Sequence, residues 1–148
     1  MAAVAGGSDW DAAALDGEIA SLRKRYDAQA DSEQPSPRLQ YEFACLLVCS
    51  PKRADIREGV RLLDELLEAG FHRAEVLHHL SLSYFKLGQY VHAKRYLDMW
   101  LSLQPRHATA RLLHSLVLDR TSHDGLVGFF SLGLLGAAVA FAVFRRWR

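Results

Sequence analysis

Two cysteines are the first side chains in this sequence that could do chemistry, as a redox pair, a disulfide or part of a metal site. Cys45 and Cys49 stand four residues apart in a stretch with a helical pattern. They lack the two-residue spacing of redox and zinc pairs, and their spacing along a helix disfavours a disulfide between them. We therefore expect two reduced thiols in a cytosolic domain.

Histidines are the second candidate, because the chain contains seven of them. His78 and His79 are adjacent and would project in different directions from a helix, while His107 and His114 lie two turns apart without a carboxylate beside them. No histidine therefore has metal-ligand spacing, and the glycines lack the lysine and the spacing of a phosphate-binding loop. The sequence predicts no metal site, no cofactor and no enzymatic activity.

The composition indicates one domain without a basic surface for nucleic acid. The chain has 148 residues, of which 24% are charged, and a formal net charge of +1. With three arginines at the end of the sequence set aside, residues 1–124 carry 15 basic and 17 acidic side chains, a formal charge of −2. Nucleic-acid binding needs a basic patch, so that class of function is excluded. The start, MAAVAGGS, has no features of a signal or transit peptide.

A long apolar segment near the end of the sequence predicts a membrane anchor. Twenty consecutive residues from Gly125 to Phe144 carry no charge, which is enough for one helix to cross the ~30 Å hydrocarbon layer. We expect an anchor over residues 124–144 and a basic tail over 145–148, with the N-terminal domain in the cytosol. The alternative, a buried core helix, would carry a polar face, which this run lacks. Membrane targeting is assigned to Arg145, Arg146 and Arg148.

Small residues within this segment allow a homo-oligomer. Gly133 and Ala137, like Gly136 and Ala140, stand four residues apart, the spacing at which two spanning helices can touch. The alternative is that the small residues only moderate the hydrophobicity of the anchor.

The part that precedes the anchor has an all-α pattern. We predict a flexible arm over residues 1–8 and a helical domain over 9–123, with Ser8 or Asp9 capping a first helix. A loop with two prolines, DSEQPSP, follows this helix, and a second helix begins near Arg38. No stretch alternates as a half-buried strand would.

The middle of the chain contains two copies of a repeat of ~34 residues, the tetratricopeptide length. The copies span about 40–73 and 74–107. Within the first copy, a short connection from Pro51 to Asp55 joins the two helices. Gly88 opens the turn of the second copy, and Ala93 is the small residue at its helix crossing, matched by Gly59 in the first. The residues predicted to pack within the repeats are Phe43, Leu46, Gly59, Leu77, Leu80, Tyr84, Ala93, Leu97 and Trp100.

Two repeats need caps at both ends to be stable. The helix over residues 10–30 would cover one end, and a helix through Leu112, Leu113, Leu116 and Val117 the other. The sequence therefore predicts a tetratricopeptide-like bundle of six helices, followed by one transmembrane helix.

The first helix of each repeat should also contribute to a concave surface for a partner. This surface is apolar with a few charges, as suits an amphipathic helix or an extended segment whose orientation Glu75 and Lys86 would set. The alternative is that the first helix of the chain covers it. The predicted groove residues are Tyr41, Ala44, Cys45, Val48, Glu75, His78, Leu82, Phe85 and Lys86.

Four stretches carry a family resemblance: YEFACLLVCS from Tyr41, DIREGVRLLDELL from Asp55, LSLSYFKLGQYVHAKRYLDMWLSLQP from Leu80 and DGLVG from Asp124. Together with the apolar segment and its basic tip, they resemble the mitochondrial fission 1 protein family over residues 39–128. Cys45 stands where that family has an aromatic residue.

The resemblance implies a non-catalytic, tail-anchored adaptor with a cytosolic six-helix bundle. Its expected location is the mitochondrial outer membrane, the peroxisomal membrane or both, and its expected partner is a dynamin-related GTPase of organelle division or an adaptor of that GTPase. Two alternatives stay open: a receptor that captures acidic C-terminal peptides of chaperones or other cytosolic partners with lysines such as Lys86 and Lys52, and a structural organelle tether.

Overall fold

A computed structural model describes residues 7–32 and 34–122 of the chain, and these residues form six helices. The predicted anchor, Arg145, Arg146 and Arg148 of the tail, and residues 1–6 of the predicted arm lie outside the described residues. Among the residues described, no helix combines the length and apolar character that a membrane span requires. The helices are α1 (Gly7–Ser32), α2 (Pro37–Cys49), α3 (Arg53–Glu68), α4 (Arg73–Lys86), α5 (Tyr90–Leu103) and α6 (residues 108–122).

Helix α2 begins where the proline-containing loop predicts a start, within one residue of Arg38. Ser36 is the N-cap, and its hydroxyl accepts a hydrogen bond of 3.3 Å from the backbone N–H of Leu39. Pro37 occupies the first helical position, where a missing N–H costs nothing. The start of α1 differs from the prediction, because this helix begins at Gly7 and so includes Ser8 and Asp9.

Helices α3 and α4 end in the same way. Gly70 and Gly88 have φ angles of 75° and 73°, a left-handed conformation that a residue without a β-carbon adopts readily. After α3, the N–H of Phe71 donates to the carbonyl of Leu66 at 2.9 Å, and after α4 the N–H of Gln89 donates to the carbonyl of Tyr84 at 2.9 Å. Both ends are Schellman motifs. They turn the chain sharply, α3 into α4 and α4 into α5.

The core is built from two helical hairpins, α2 with α3 and α4 with α5, which pack side by side through α3 and α4. The small residues Gly59 and Ala93 are buried at the crossings. A β-carbon on Gly59 would lie 2.7 Å from Val48 Cγ1 and 3.0 Å from the carbonyl oxygen of Ala44, so α2 and α3 are in direct contact there. The other predicted packing residues with exposures of 3% or less are Phe43, Leu77, Leu80, Leu97 and Trp100.

Two of the residues predicted to pack within the repeats are only partly buried. In α2 the fully buried leucine is Leu47, whereas Leu46 is half-buried beside Leu22 of α1, because α2 turns this side toward the first helix. Tyr84 is also half-buried, and its ring stacks on Tyr96 of α5 with centroids 5.2 Å apart.

The connection between α2 and α3 is shorter than predicted. It spans Ser50 to Lys52, and Asp55 already lies inside α3. The buried hydroxyl of Ser50 donates to Asp55 Oδ2 at 2.6 Å and accepts from the N–H of Lys52 at 3.1 Å, so one side chain organises the whole turn.

Helix α1 packs against α2 and α3 through the predicted apolar stripe, in which Ile19 is buried and Tyr26 lies 5.2 Å from the ring of Phe43. Arg23 makes a two-pronged ion pair with Glu58 of α3 at 2.6 to 2.7 Å. These contacts cap one end of the repeats.

Helix α6 caps the other end with only part of the predicted stripe. Leu113 and Val117 are buried together with Ala110, whereas Leu112 and Leu116 are 63% and 46% exposed. The face that α6 turns toward the hairpins is therefore narrower than the sequence pattern predicted.

We expect Gly59→Ala to destabilise the protein. The overpacking penalty of about 1 to 3 kcal/mol exceeds the ~1 kcal/mol gained in helix propensity, because a backbone oxygen stands in the way. Gly17→Ala is the matched control, since a β-carbon on this α1 glycine would meet nothing within 4 Å. Urea unfolding followed by circular dichroism should show a loss of about 1 kcal/mol for the first variant and a gain of about 0.5 to 1 kcal/mol for the second. Equal shifts would contradict the close crossing.

Candidate partner-binding groove

Helices α2 and α4 run side by side and in the same direction. Near the start of α2, the ring of Tyr41 lies 5.9 Å from that of His79 in α4. Seven residues further along each helix, the carbonyl of Val48 accepts a hydrogen bond from Lys86. The strip between these two contacts is the candidate groove. We define the groove by the half-buried residues Tyr41, Cys45, His79, Leu82 and Phe85 and the exposed Lys86.

One end of the groove is lined by an aromatic cluster around Tyr41. Its ring lies 5.8 Å from that of Phe71 and 6.1 Å from that of His72, which it stacks on. His72 is the N-cap of α4 and has a φ of 41°, a left-handed conformation that a residue with a β-carbon adopts rarely. The turn between α3 and α4 thus holds two rings against α2.

Burial sets the protonation of the groove residues. It raises the pKa of Tyr41 and raises the pKa of Cys45 to about 11, although a hydrogen bond from Tyr41 opposes the latter shift. Burial also lowers the pKa of His78 and of His79, each reinforced by a neighbouring histidine. At neutral pH the groove floor is therefore uncharged, and the Cys45 thiol is protonated.

At the other end of the groove, Lys86 ties the two helices together. Its Nζ donates a 2.8 Å hydrogen bond to the carbonyl oxygen of Val48, in the last turn of α2. A cation at this position is favourable because the last carbonyls of a helix carry partial negative charge. Arg53 makes the equivalent bond to the carbonyl of Leu87 at 2.9 Å, just past the end of α4.

Beyond α4, an aromatic stack continues toward α6. The Trp100 ring lies between those of His78, at 4.9 Å, and His107, at 4.6 Å. A small open pocket of about 280 Å³ adjoins this stack. It is lined by Ala74, Glu75, His78, Trp100, Gln104, His107 and Thr109.

Four of the predicted groove residues lie outside the groove as defined. Ala44 is fully buried and Val48 is 5% exposed, because both sit at the crossing of α2 over Gly59. His78 and Glu75 lie further along, at the pocket beside Trp100, and the Glu75 side chain is 59% exposed. Tyr41 and Cys45 lie on α2 and Leu82, Phe85 and Lys86 on the neighbouring α4, so a groove formed by these five residues stays a prediction.

Three residues of this region were missed from the sequence: Phe71, His72 and His79. His79 could have been found, since it shares the helical stripe of Leu82 and Lys86 at positions three and seven residues before them. Phe71 and His72 could not, because only the left-handed turn after Gly70 brings them to α2.

The chemistry available here is that of a binding surface. The described part of the chain contains no group of three His, Cys, Asp or Glu side chains that could hold a metal ion. The two lysines considered for an acidic peptide are already engaged, Lys86 with the Val48 carbonyl and Lys52 with Asp16 at 2.7 Å. Apolar and aromatic surface therefore dominates the groove.

Comparison with known proteins places these features in one family. Residues 74–126 match the family model of the Fis1 C-terminal tetratricopeptide repeat. The mitochondrial fission 1 protein of Gibberella zeae is 34% identical to this chain, over 82% of this chain and 78% of its own length. The mitochondrial fission 1 protein of Candida albicans is 36% identical, over 76% of this chain and 73% of its own length.

Solved structures share the fold. The fission protein Fis1 of Saccharomyces cerevisiae superposes with a TM-score of 0.69 and 26% identity, over 76% of this chain and 88% of that one. Yeast Fis1 crystallised with an Mdv1 fragment that contains N-terminal extension and coiled-coil domains superposes with a TM-score of 0.67 and 25% identity, over 74% and 86%.

We expect the two thiols to react at different rates. A pKa raised from 9.0 to about 11 lowers the thiolate fraction of Cys45 on the order of 100-fold, whereas Cys49 is exposed. Iodoacetamide at neutral pH should therefore modify a Cys45→Ser variant much faster than a Cys49→Ser variant. In urea the two rates should converge, which makes unfolding the internal control. Equal rates in the folded protein would contradict the buried position of Cys45.

Proposed function

Because this chain belongs to the mitochondrial fission 1 protein family, we propose that it is an adaptor in organelle division that binds a segment of another adaptor protein in the groove between α2 and α4. Its yeast relative forms a complex with an Mdv1 fragment. Through such an adaptor the chain would recruit a dynamin-related GTPase to mitochondria, peroxisomes or both.

The observation that carries the proposal is an apolar strip of the groove that the described helices leave unfilled. Leu82 and Phe85 are only half-buried. Their neighbours on α4 are engaged, because Lys86 contacts α2 and His78 contacts α5. Half-buried apolar and aromatic side chains in a concave strip are the usual anchors for an amphipathic partner. A partner would bury the remainder of their surface.

Charges at the two ends of α4 give the partner a direction. Glu75 and Lys86 are eleven residues apart, which corresponds to ~16 Å along the helix. An extended segment covers this distance with about five residues, at ~3.3 Å per residue. The complementary segment would therefore have apolar residues within the groove, an acidic residue or carbonyl oxygens near Lys86, and a basic residue where it extends past the groove to Glu75.

Burial of the groove by α1 was the alternative to partner docking. The contacts of α1 run to Phe43, to Glu58 and to Lys52. Phe43 lies between Tyr41 and Cys45 in sequence, and so points to nearly the opposite side of α2. The position of α1 therefore supports a groove that is accessible to a partner.

A chaperone receptor is less well supported by this surface. Binding an acidic C-terminal peptide needs several unpaired cations that converge on the carboxylates. Lys52 is paired with Asp16 and Lys86 is bonded to α2, so the groove as described offers no such cluster.

The membrane location in this proposal rests on the sequence. The uncharged run from Gly125 to Phe144 would anchor the chain in the mitochondrial outer membrane or the peroxisomal membrane, with α1 to α6 on the cytosolic side. The arginines at 145, 146 and 148 would remain in the aqueous phase beyond the anchor.

We predict that Leu82→Glu combined with Phe85→Ala abolishes partner recruitment. Loss of two anchor side chains, one replaced by a charge, should weaken binding of the adaptor fragment by about 30-fold or more, as for a hot spot of 2 kcal/mol. The measurement is the Kd for the fragment, together with GTPase recruitment to the organelle.

The control for this pair is Val91→Glu on α5, a side chain that is 75% exposed and outside the groove. It should bind like the unchanged protein. Circular dichroism of all variants verifies the fold. A folded double variant with unaltered affinity would show that the partner binds elsewhere.

We further predict that a tagged copy without residues 125–148 becomes diffuse in the cytosol but still binds the adaptor fragment, because α1 to α6 are unchanged. Imaging the full and shortened copies tests the first expectation, and a pull-down tests the second. If the shortened copy stays on the organelle, the anchor assignment fails. If it is diffuse and does not bind, the groove assignment fails.

A further inference from the structure

His72 has a backbone conformation that few residues with a β-carbon adopt. Its φ and ψ angles are 41° and 52°, and among residues 7–32 and 34–122 it is the one residue other than glycine with a positive φ. The two glycines that share this property are Gly70 and Gly88. A left-handed backbone costs free energy for other residues, and asparagine tolerates it better than most. The turn alone therefore does not explain a histidine here.

The start of α4 does not explain the histidine either. His72 is the N-cap of this helix, where serine, threonine, aspartate or asparagine would accept a hydrogen bond from the first turn, but its side chain makes no such bond. Its Nδ1 lies 4.0 Å from Glu75 Oε2, and both side chains are 59% exposed, so this pair adds little to stability. Asparagine would suit both the backbone and the cap better than histidine does.

The ring of His72 belongs to a cluster of three aromatic rings. It stacks on Tyr41 with centroids 6.1 Å apart and meets Phe71 edge-on at 4.4 Å, and the rings of Tyr41 and Phe71 are 5.8 Å apart. Each ring therefore contacts the other two. Tyr41 also contacts His79 within the groove, at 5.9 Å.

We propose that His72 is a positioning residue of the groove, whose ring holds Tyr41 in the orientation that lines one end of it. The left-handed backbone is what turns the ring of His72 toward Tyr41 on α2. This inference rests on the proposed function, because Tyr41 lines the surface to which the partner would bind. The strained backbone is then retained for binding and not for the stability of the fold.

Stability and binding should therefore separate in the variant His72→Asn. Asparagine suits the left-handed backbone and the N-cap, so the midpoint of urea unfolding should stay the same or rise. The ring is lost, so the Kd for the adaptor fragment should increase about fivefold, the effect of one aromatic pair.

The matched variant is His72→Phe, which keeps a ring on the same backbone. Phenylalanine tolerates a left-handed conformation less well than histidine, so the urea midpoint should fall. Binding of the adaptor fragment should nevertheless be rescued relative to His72→Asn, because the stack on Tyr41 is restored. A merely structural role would make binding follow the urea midpoint in both variants.

The orientation of Tyr41 can be measured without a partner. In NMR spectra of the free protein, His72→Asn should shift the ring-proton signals of Tyr41, because a stacked neighbouring ring is lost. The signals of Tyr96 should stay in place, since this ring stacks on Tyr84 and serves as the internal control. Unmoved Tyr41 signals would overturn the proposal whatever the partner is.

The binding measurements separate this inference from the groove itself. If His72→Asn binds like the unchanged protein while the Leu82→Glu, Phe85→Ala variant does not bind, the groove stands and His72 has no role in it. If both variants bind like the unchanged protein, the groove assignment fails as well.

Discussion

Close contact between helices at two small residues is the constraint on which this structure depends. At Gly59 the backbone of α2 comes within 3.0 Å of where a β-carbon would stand, and Ala93 is fully buried in the equivalent place in the second hairpin. Because α4 packs on α3, the crossing at Gly59 helps to set how close α2 lies to α4. The groove is the space that this distance leaves.

Turns and caps convert the hairpins into a surface for binding. The Schellman ends after α3 and α4 satisfy backbone carbonyls and reverse the chain within a few residues, which aligns the first helices of both repeats in parallel. The same turn after α3 places Phe71 and His72 against Tyr41. The turn that ends α3 thus supplies part of the aromatic lining of the groove.

Periodicity in the sequence was enough to predict the six helices, the hairpins and the small residues at the crossings, because each depends on spacing along one helix. The side of α2 that faces α1 was not predictable to one residue, so Leu46 was assigned to the repeat core where Leu47 lies. Ala44 and Val48 were placed in the groove because their burial depends on the approach of α3, which no spacing within α2 reveals. Likewise, the positions of Phe71 and His72 depend on a left-handed backbone at the α3–α4 turn.

The two ends of the groove are held by different forces. Near the ends of α2 and α4, the bond from Lys86 to the Val48 carbonyl is short and directional, so it resists separation of the helices. Near Tyr41 the helices meet through an edge-to-face contact between the rings of Tyr41 and His79, whose centroids are 5.9 Å apart. The lysine end of the groove is therefore fixed by a directional polar bond, whereas the tyrosine end is held by aromatic packing alone.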